Sequence, residues 1–136
     1  MKFLLDANAW IGHLRQTAPE VSRHLSLHPR NDIGLCSIVI MELLYGVERC
    51  APSLRAANLS LVVRLQQQYI SLPFNDVAAA EAAQIRAHLT ALGTPIGPND
   101  LLIAAIARAN QLTVVTHNTS EFSRVPNLAV EDWQIP

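Results

Sequence analysis

The chain has 136 residues, half of them hydrophobic and 15% charged, so it can bury one substantial core and is not disordered. Its formal net charge of -1 counts against a protein that coats nucleic acid, although nine of its ten basic residues are arginines, which bind phosphate bidentately. No signal peptide and no apolar run long enough to span a membrane are present, so we expect a cytoplasmic protein.

Short apolar segments alternate with helical patterns in the first half of the chain. Lys2–Leu5 is predicted to be a buried strand, and Pro19–His28 a helix with proline at its first position. Ile33–Cys36 is predicted to be a second strand, in which the cysteine is a reduced core thiol. Ser37 is predicted to cap the helix that begins SIVIMELLYGV.

The same alternation continues in the second half. A long amphipathic helix is predicted with Leu54, Leu61 and Leu65 along one stripe, facing either the core or a partner. The predicted elements in order are helix Ser53–Gln68, strand Tyr69–Pro73, a helix from Asn75 or Asp76 to Gly93, a helix from GPND to Asn110, strand Thr113–Val115 and edge strand Leu128–Val130.

This order predicts one α/β domain over residues 1–136. Short apolar strands that alternate with helices form a central parallel sheet, here of four or five strands, with helices on both faces. Ligands of such sheets bind outside the carboxyl ends of the strands. Side chains that directly follow a strand are therefore the first candidates for chemistry.

Three carboxylates stand in unusual contexts. Asp6 directly follows the first strand, where it could equally cap the next helix. Glu42 lies inside an apolar helix, where an ionised carboxylate is costly unless a cation or donor meets it, or else it occupies a narrow solvent-facing stripe with Arg49 beyond it. Asp100 opens the helix LLIAAIA, and by itself it fits a first-turn carboxylate that the helix dipole favours.

These carboxylates can converge with the loop that follows the strand TVV. Asn118 lies in that loop, in THNTSEF, and Glu121 follows closely; alone, both fit an ordinary polar loop. Because the carboxyl ends of parallel strands meet at one edge, Asp6, Asp100 and this loop are expected to lie together, with Glu42 joining them. Such hard oxygen ligands suit Mg²⁺, with Mn²⁺ as a substitute, rather than zinc.

Five motifs in the chain resemble the PIN-domain family of endoribonucleases, and more closely its VapC-type toxins from toxin–antitoxin pairs. They are LLDANAWI, the glutamate of MELLYGVE, IGPNDLLIAAIA, VVTHNTSEF and the final EDW at Glu131–Trp133, and they occur in the family order over nearly the whole chain. QIRAHLTALGTPIGPND is similar to the branch of these toxins that cuts initiator tRNA in its anticodon region.

The resemblance implies a role for each matching residue. Asp6, Glu42 and Asp100 match the three acidic positions of the family site, with Asp6 and Asp100 as the main metal ligands and Glu42 near them. The last position falls on Asn118 or Glu121. A Mg²⁺-dependent endoribonuclease is implied, with tRNA as substrate, a VapB-type antitoxin as partner, and a homodimer. The family often has Thr or Ser where this chain has Ala7, which predicts a lower rate.

Two other readings compete with this one. A haloacid-dehalogenase-like phosphatase also places an aspartate after its first strand, but it needs a second aspartate two residues later and a nearby lysine. This chain has Asn8 there, and its single lysine is Lys2. The other reading is a catalytically silent PIN-like module that binds RNA or protein. If RNA is the substrate, Arg15, Arg49 and Arg86 are candidate phosphate contacts.

Overall fold

A five-stranded parallel sheet organises the protein in the computed structural model, which describes residues 1–135. All neighbouring strands pair in parallel, and the spatial order is β3-β2-β1-β4-β5. The strands are β1 (Phe3–Leu5), β2 (Ile33–Cys36), β3 (Ile70–Leu72), β4 (Thr113–Val115) and β5 (Val130–Glu131). The prediction of an α/β domain with a parallel sheet of four or five strands is confirmed.

Seven α-helices connect and cover these strands. Within residues 1–135, none of them is both long and apolar enough to cross a bilayer. The helices are α1 (Ala7–Leu14), α2 (Pro19–Leu27), α3 (Ser37–Arg49), α4 (Arg55–Gln68), α5 (Asp76–Ala91), α6 (Pro98–Ala109) and α7 (Thr119–Phe122), with short 3-10 turns at Arg30–Asp32 and Pro52–Leu54.

The three central strands are buried on both faces. Successive side chains of a strand point to opposite faces, yet Leu4 and Leu5 are both fully buried. The same holds for Val114 and Val115, and all of β2 is buried. This explains why the strands read as continuous apolar runs, and it confirms Cys36 as a free thiol in the core.

The strand order reverses between β1 and β4. From β1 the chain continues to β2 on one side, whereas β4 and β5 lie on the other side. Leu5 pairs with Val115 in register, and the Asp6 N–H donates to the Val115 carbonyl at 3.0 Å. The residues that follow β1 and β4 therefore emerge side by side at the switch point, where α/β sheets bind their ligands.

Several predicted boundaries are wrong. Ser37 does not cap α3: it is the first helical residue, and its hydroxyl accepts from the Phe74 N–H at 3.2 Å. A 3-10 turn replaces the predicted start of α4, so that helix begins at Arg55 rather than Ser53. The last strand lies at Val130–Glu131 rather than Leu128–Val130, and α7 was predicted as loop.

The C-terminal end of α5 lies close to Gly93, the glycine that predicted it. Gly93 has a φ of 68°, the left-handed conformation that glycine adopts without a steric penalty. At the other end, Asn75 caps the helix by accepting from the Ala78 N–H at 3.0 Å. Both predicted ends of this helix are confirmed to within two residues.

The stripe of leucines on α4 divides between core and surface. Leu65 belongs to the buried core, whereas Leu54 is 53% exposed. Leu61 is partly buried and lines a groove between α1, α3 and α4. The stripe is therefore not a single core face.

An aromatic stack fixes the C-terminal segment. Trp133 is buried, and the rings of His24 and His28 stack on it with centroid distances of 4.9 and 5.4 Å. Phe3 contacts its edge at 5.0 Å. The two histidines are spaced i, i+4 on α2 and its end, so their role in this fold is to hold the segment after β5 against the helix.

Candidate active site

Asp6 is the buried centre of the carboxyl edge. It immediately follows β1 and is 5% exposed. One carboxylate oxygen caps α1 by accepting from the Ala9 N–H at 2.9 Å, and the other accepts from the Thr116 hydroxyl at 2.6 Å. The capping interpretation and the functional one are thus compatible, because the cap holds the carboxylate in one orientation at the switch point.

Thr116 ties Asp6 to the loop after β4. It is 1% exposed, and its hydroxyl oxygen also accepts from the Asn118 N–H at 2.9 Å. The sequence predictions missed this residue. Its only signal was its position, since it follows β4 as Asp6 follows β1 and the two strands are neighbours.

The pKa of the Asp6 carboxyl is raised above its ordinary value, chiefly by burial. The hydrogen bonds from Thr116 and the Ala9 N–H oppose this shift, and the nearby charge of Asp132 adds to it. An isolated buried carboxylate is costly to ionise, and a cation beside it would remove that cost.

Asp100 is joined to the loop after β4 by Asn118. The Asn118 amide donates to Asp100 Oδ2 at 3.2 Å and also to Glu121, which in turn accepts from the Gly97 N–H at 3.3 Å. Gly97 directly precedes α6, so this network attaches the start of that helix to the loop. Both candidates for the last site position therefore lie beside Asp100.

Burial and neighbouring acids raise the pKa of Asp100 to about 6. Burial contributes most, followed by the hydrogen bond and charge of Glu121 and then the charge of Asp6. The pKa of Glu121 is lowered instead, first by the hydrogen bond from Asn118. Of this acidic pair, Asp100 is therefore the group that is protonated first as the pH falls, because Glu121 has more hydrogen-bond donors around it.

Glu42 faces the same site from α3. Its Oε1 atom is buried and has no hydrogen-bond partner. Burial raises the pKa of the Glu42 carboxyl, and the charge of Asp6 raises it further. The acidic site thus consists of the three carboxyls of Asp6, Glu42 and Asp100, each with a raised pKa. The charge of Asp6 contributes to the raised pKa of both other carboxyls.

The donor set of this acidic site fits a hard divalent cation. Among residues 1–135, no three Asp, Glu, His or Cys side chains are gathered tightly enough to hold a metal in the present geometry. Nevertheless, the donors are oxygens, they repel one another, and one buried oxygen of Glu42 is unpaired. A cation between them would offset the repulsion and satisfy that oxygen.

The alternative phosphatase site is not formed. Lys2 precedes β1, at the opposite edge of the sheet from Asp6, and its ammonium lies 3.9 Å from Asp32. Ala7 is buried at the first position of α1, so the hydroxyl beside Asp6 comes from Thr116 on the neighbouring strand. No lysine is therefore available to the acidic site.

The three candidate arginines occupy different surroundings. Arg15 lines the groove between α1, α3 and α4 that also contains Glu42. Arg49 lies over the ring of Tyr45, with its guanidinium carbon 5.1 Å from the ring centroid. Arg86 lines a separate apolar cavity between α5 and α6. Of the three, Arg15 has the clearest link to the acidic site.

Thr116→Val is expected to lower kcat for the RNA cleavage that the sequence resemblance implies. The expected decrease is about 10- to 100-fold, the usual effect of losing a group that orients a metal ligand. Valine has the same shape but leaves the second oxygen of Asp6 and the Asn118 N–H without partners. The free energy of unfolding should fall by about 1–3 kcal/mol. Thermal melts and cleavage rates measure both effects, with Thr116→Ser as the matched control that keeps the hydroxyl. A valine variant as active as the serine variant would contradict the role of Thr116.

A parallel α/β domain with a carboxylate site at its switch point defines the class of protein, and comparison with known proteins identifies the family. The PIN domain model matches residues 3–128. The tRNA(fMet)-specific endonuclease VapC of Salmonella typhimurium is 36% identical over 133 residues, covering 98% of each chain. Ribonuclease VapC2 of Rickettsia felis is 33% identical, again over 98% of both chains.

Solved structures agree with these relatives. A chain of DNA-bound VapBC from Salmonella typhimurium superposes with a TM-score of 0.90 at 35% identity, covering 98% of both chains. VapBC2 from Rickettsia felis, bound to a promoter DNA fragment, gives a TM-score of 0.89 at 32% identity over 98% of this chain and 99% of that one. The protein belongs to the PIN-domain family, in its VapC group.

Proposed function

We propose that this protein is a metal-dependent endoribonuclease that acts as the toxin of a toxin–antitoxin pair and cuts tRNA in the anticodon region, with initiator tRNA as its substrate. One observation carries the chemistry: Asp6, Glu42 and Asp100 share one sheet edge, and each has a raised pKa. The relatives named as VapC ribonucleases support the RNA substrate, and one of them is named for tRNA(fMet).

Asp6 and Asp100 would hold Mg²⁺, or Mn²⁺ in its place, with Glu42 beside them. Such an ion, when bound, neutralises charge on the scissile phosphate and lowers the pKa of water. Glu42 is the better group to accept a proton from the attacking water, because its pKa is raised, whereas the pKa of Glu121 is lowered and its oxygens are occupied by Asn118 and Gly97. The water oxygen bonds to phosphorus as the bond to the leaving ribose oxygen breaks, and that oxygen takes up a proton from solvent.

A VapB-type antitoxin and a second copy of the chain are the proposed partners. Structures similar to this one include VapBC complexes. Apolar side chains are also exposed on several helices, which is typical of a surface that associates. Those more than half exposed on helices and strands include Tyr45, Leu54, Ile70 and Val77. Sedimentation that shows only monomer at high concentration would exclude the homodimer.

A folded RNA suits this protein better than a long single strand. With a net charge of -1, the chain has few phosphate contacts to offer, so affinity must come from shape and a few basic groups. Arg15 is the first candidate, since it lies in the groove that contains Glu42.

Three RNAs of equal length test the substrate. The antitoxin-free protein is incubated with initiator tRNA, an elongator tRNA and an unstructured RNA, with Mg²⁺, with Mn²⁺ and with a chelator, and the cleaved ends are mapped. We expect metal-dependent cuts in the anticodon region of initiator tRNA alone. Equal cutting of all three would exclude the specificity, and no cutting with either metal would favour the silent binding module instead.

A further inference from the structure

A histidine and an aspartate form a hydrogen-bonded pair at the carboxyl edge, outside the three-carboxyl site. The His117 Nδ1 atom is 2.9 Å from Asp132 Oδ2. Asp132 in turn accepts from the Gln134 N–H at 2.9 Å through its other oxygen. Both oxygens of Asp132 are therefore occupied, and its carboxylate is fixed, with a side chain only 12% exposed.

The fold places this pair next to Asp6. His117 is the second residue after β4, and Asp132 directly follows β5, the neighbouring strand. Both charges act on Asp6, since Asp132 raises the pKa of its carboxyl and His117 lowers it. The imidazole thus lies on the β4–β5 side of the acidic site, whereas Arg15 shares the groove of Glu42 on the α1–α3 side.

One ring nitrogen of His117 remains available. The Asp132 carboxylate is acceptor-only, so the bond between them requires a proton on Nδ1. The side chain is 64% exposed, and within residues 1–135 its Nε2 makes no hydrogen bond. An imidazole held by a carboxylate through Nδ1 presents Nε2 in a defined direction, and in the imidazolium form that atom donates to an anion.

We propose that His117 is a substrate-binding residue that donates from Nε2 to a backbone phosphate of the RNA next to the scissile one, and that Asp132 positions it. This inference rests on the proposed ribonuclease function. RNA has a backbone phosphate at each nucleotide along the site, and an imidazole that is held in one orientation can donate a hydrogen bond to such a phosphate. Without a metal ion the three-carboxyl site repels the RNA backbone, so a hydrogen-bond donor to phosphate at its border favours binding.

His117→Asn separates binding from structure. The asparagine amide nitrogen replaces Nδ1 and keeps the bond to Asp132, but it provides nothing in the position of Nε2. We expect KM for the cleaved RNA to rise roughly tenfold, as for a lost charged hydrogen bond, with kcat and the melting temperature unchanged. The slope of log(kcat/KM) against log[salt] should become shallower by about 0.7–0.9, the effect of one phosphate contact.

Two further variants complete the test. Asp132→Asn should raise KM less than His117→Asn, and the double variant should be no worse than His117→Asn alone, because both remove one contact. Lys2→Gln removes one positive charge at the opposite sheet edge and should leave KM and the salt slope unchanged.

The outcomes separate this inference from the proposed function. A wild-type protein that cleaves RNA, together with an unchanged KM and salt slope for His117→Asn, overturns the role of His117 and leaves the nuclease intact. A fall in kcat at constant KM also overturns it, since that places His117 in the chemical step. A wild-type protein that cleaves no RNA with either metal overturns both.

Discussion

Asp6→Asn is expected to reduce kcat for RNA cleavage by roughly 100- to 1,000-fold while leaving the fold intact. The charge of a proposed metal ligand is lost. However, asparagine is also a good helix cap: its carbonyl can accept from the Ala9 N–H, and its amide can donate to the Thr116 hydroxyl oxygen. Cleavage rates at saturating Mg²⁺, with the circular dichroism spectrum as a check of the fold, measure the effect.

Asp32→Asn is the matched control for this substitution. Asp32 precedes β2 at the opposite edge of the sheet, and within residues 1–135 its side chain forms only a long ion pair with Lys2. The same chemical change there should leave cleavage within about twofold of wild type, because surface substitutions usually change the free energy by less than 0.5 kcal/mol. An Asp6→Asn variant that cleaves as fast as Asp32→Asn would exclude Asp6 from the site.

Asp100→Asn is expected to raise the free energy of unfolding of the metal-free protein at neutral pH while removing most cleavage. The pKa of Asp100 is raised from 3.8 to about 6 in the folded state. The stability linked to its proton is therefore fully present below pH 3.8 and is lost as the pH rises through 6. At pH 7.5 the carboxylate is ionised beside Glu121 and Asp6, and asparagine removes that repulsion.

The gain should be about 1–2 kcal/mol at pH 7.5, allowing for partial solvent screening, and a few degrees in melting temperature. It should shrink towards pH 4, where wild-type Asp100 is protonated. Melts of both proteins in chelator at the two pH values test this, and Asp32→Asn should show no such gain. Added Mg²⁺ should raise the melting temperature of wild type more than that of the variant. A variant that melts below wild type at pH 7.5 would show that the carboxylate is not repelled there.

Local sequence patterns predicted the elements more accurately than their ends. The strand Ile33–Cys36 and the strand Thr113–Val115 match their predictions, because a short run of apolar residues is enough to specify a strand that is buried on both faces. Ser37 shows where such reasoning fails. A serine before an apolar helix has the signature of a cap, but here its hydroxyl instead binds the backbone of Phe74, which only the packed chain brings close.

The sequence indicated the acidic residues of the candidate site but not the hydrogen bonds that join them to the rest of the chain. Asp6, Asp100 and Asn118 follow strands or open a helix at positions that the sheet rule singles out, and Glu42 is conspicuous as a charge in an apolar helix. Thr116 directly follows a strand as Asp6 does, but a threonine there, like the histidine after it, carries no charge in an unusual context that would single it out. Their partners are 110 and 15 residues away along the chain.

What the sequence determined by itself is the alternation of buried strands and helices, and with it a parallel sheet whose carboxyl edge carries acidic residues. These features depend on local apolar patterning, which each segment carries on its own. The tertiary structure alone decided that β4 pairs beside β1, and this pairing brings Thr116 to Asp6 and joins Asn118 to Asp100. The raised pKa values follow from that arrangement, because burial and repulsion between carboxyls depend on distances that only the folded chain defines.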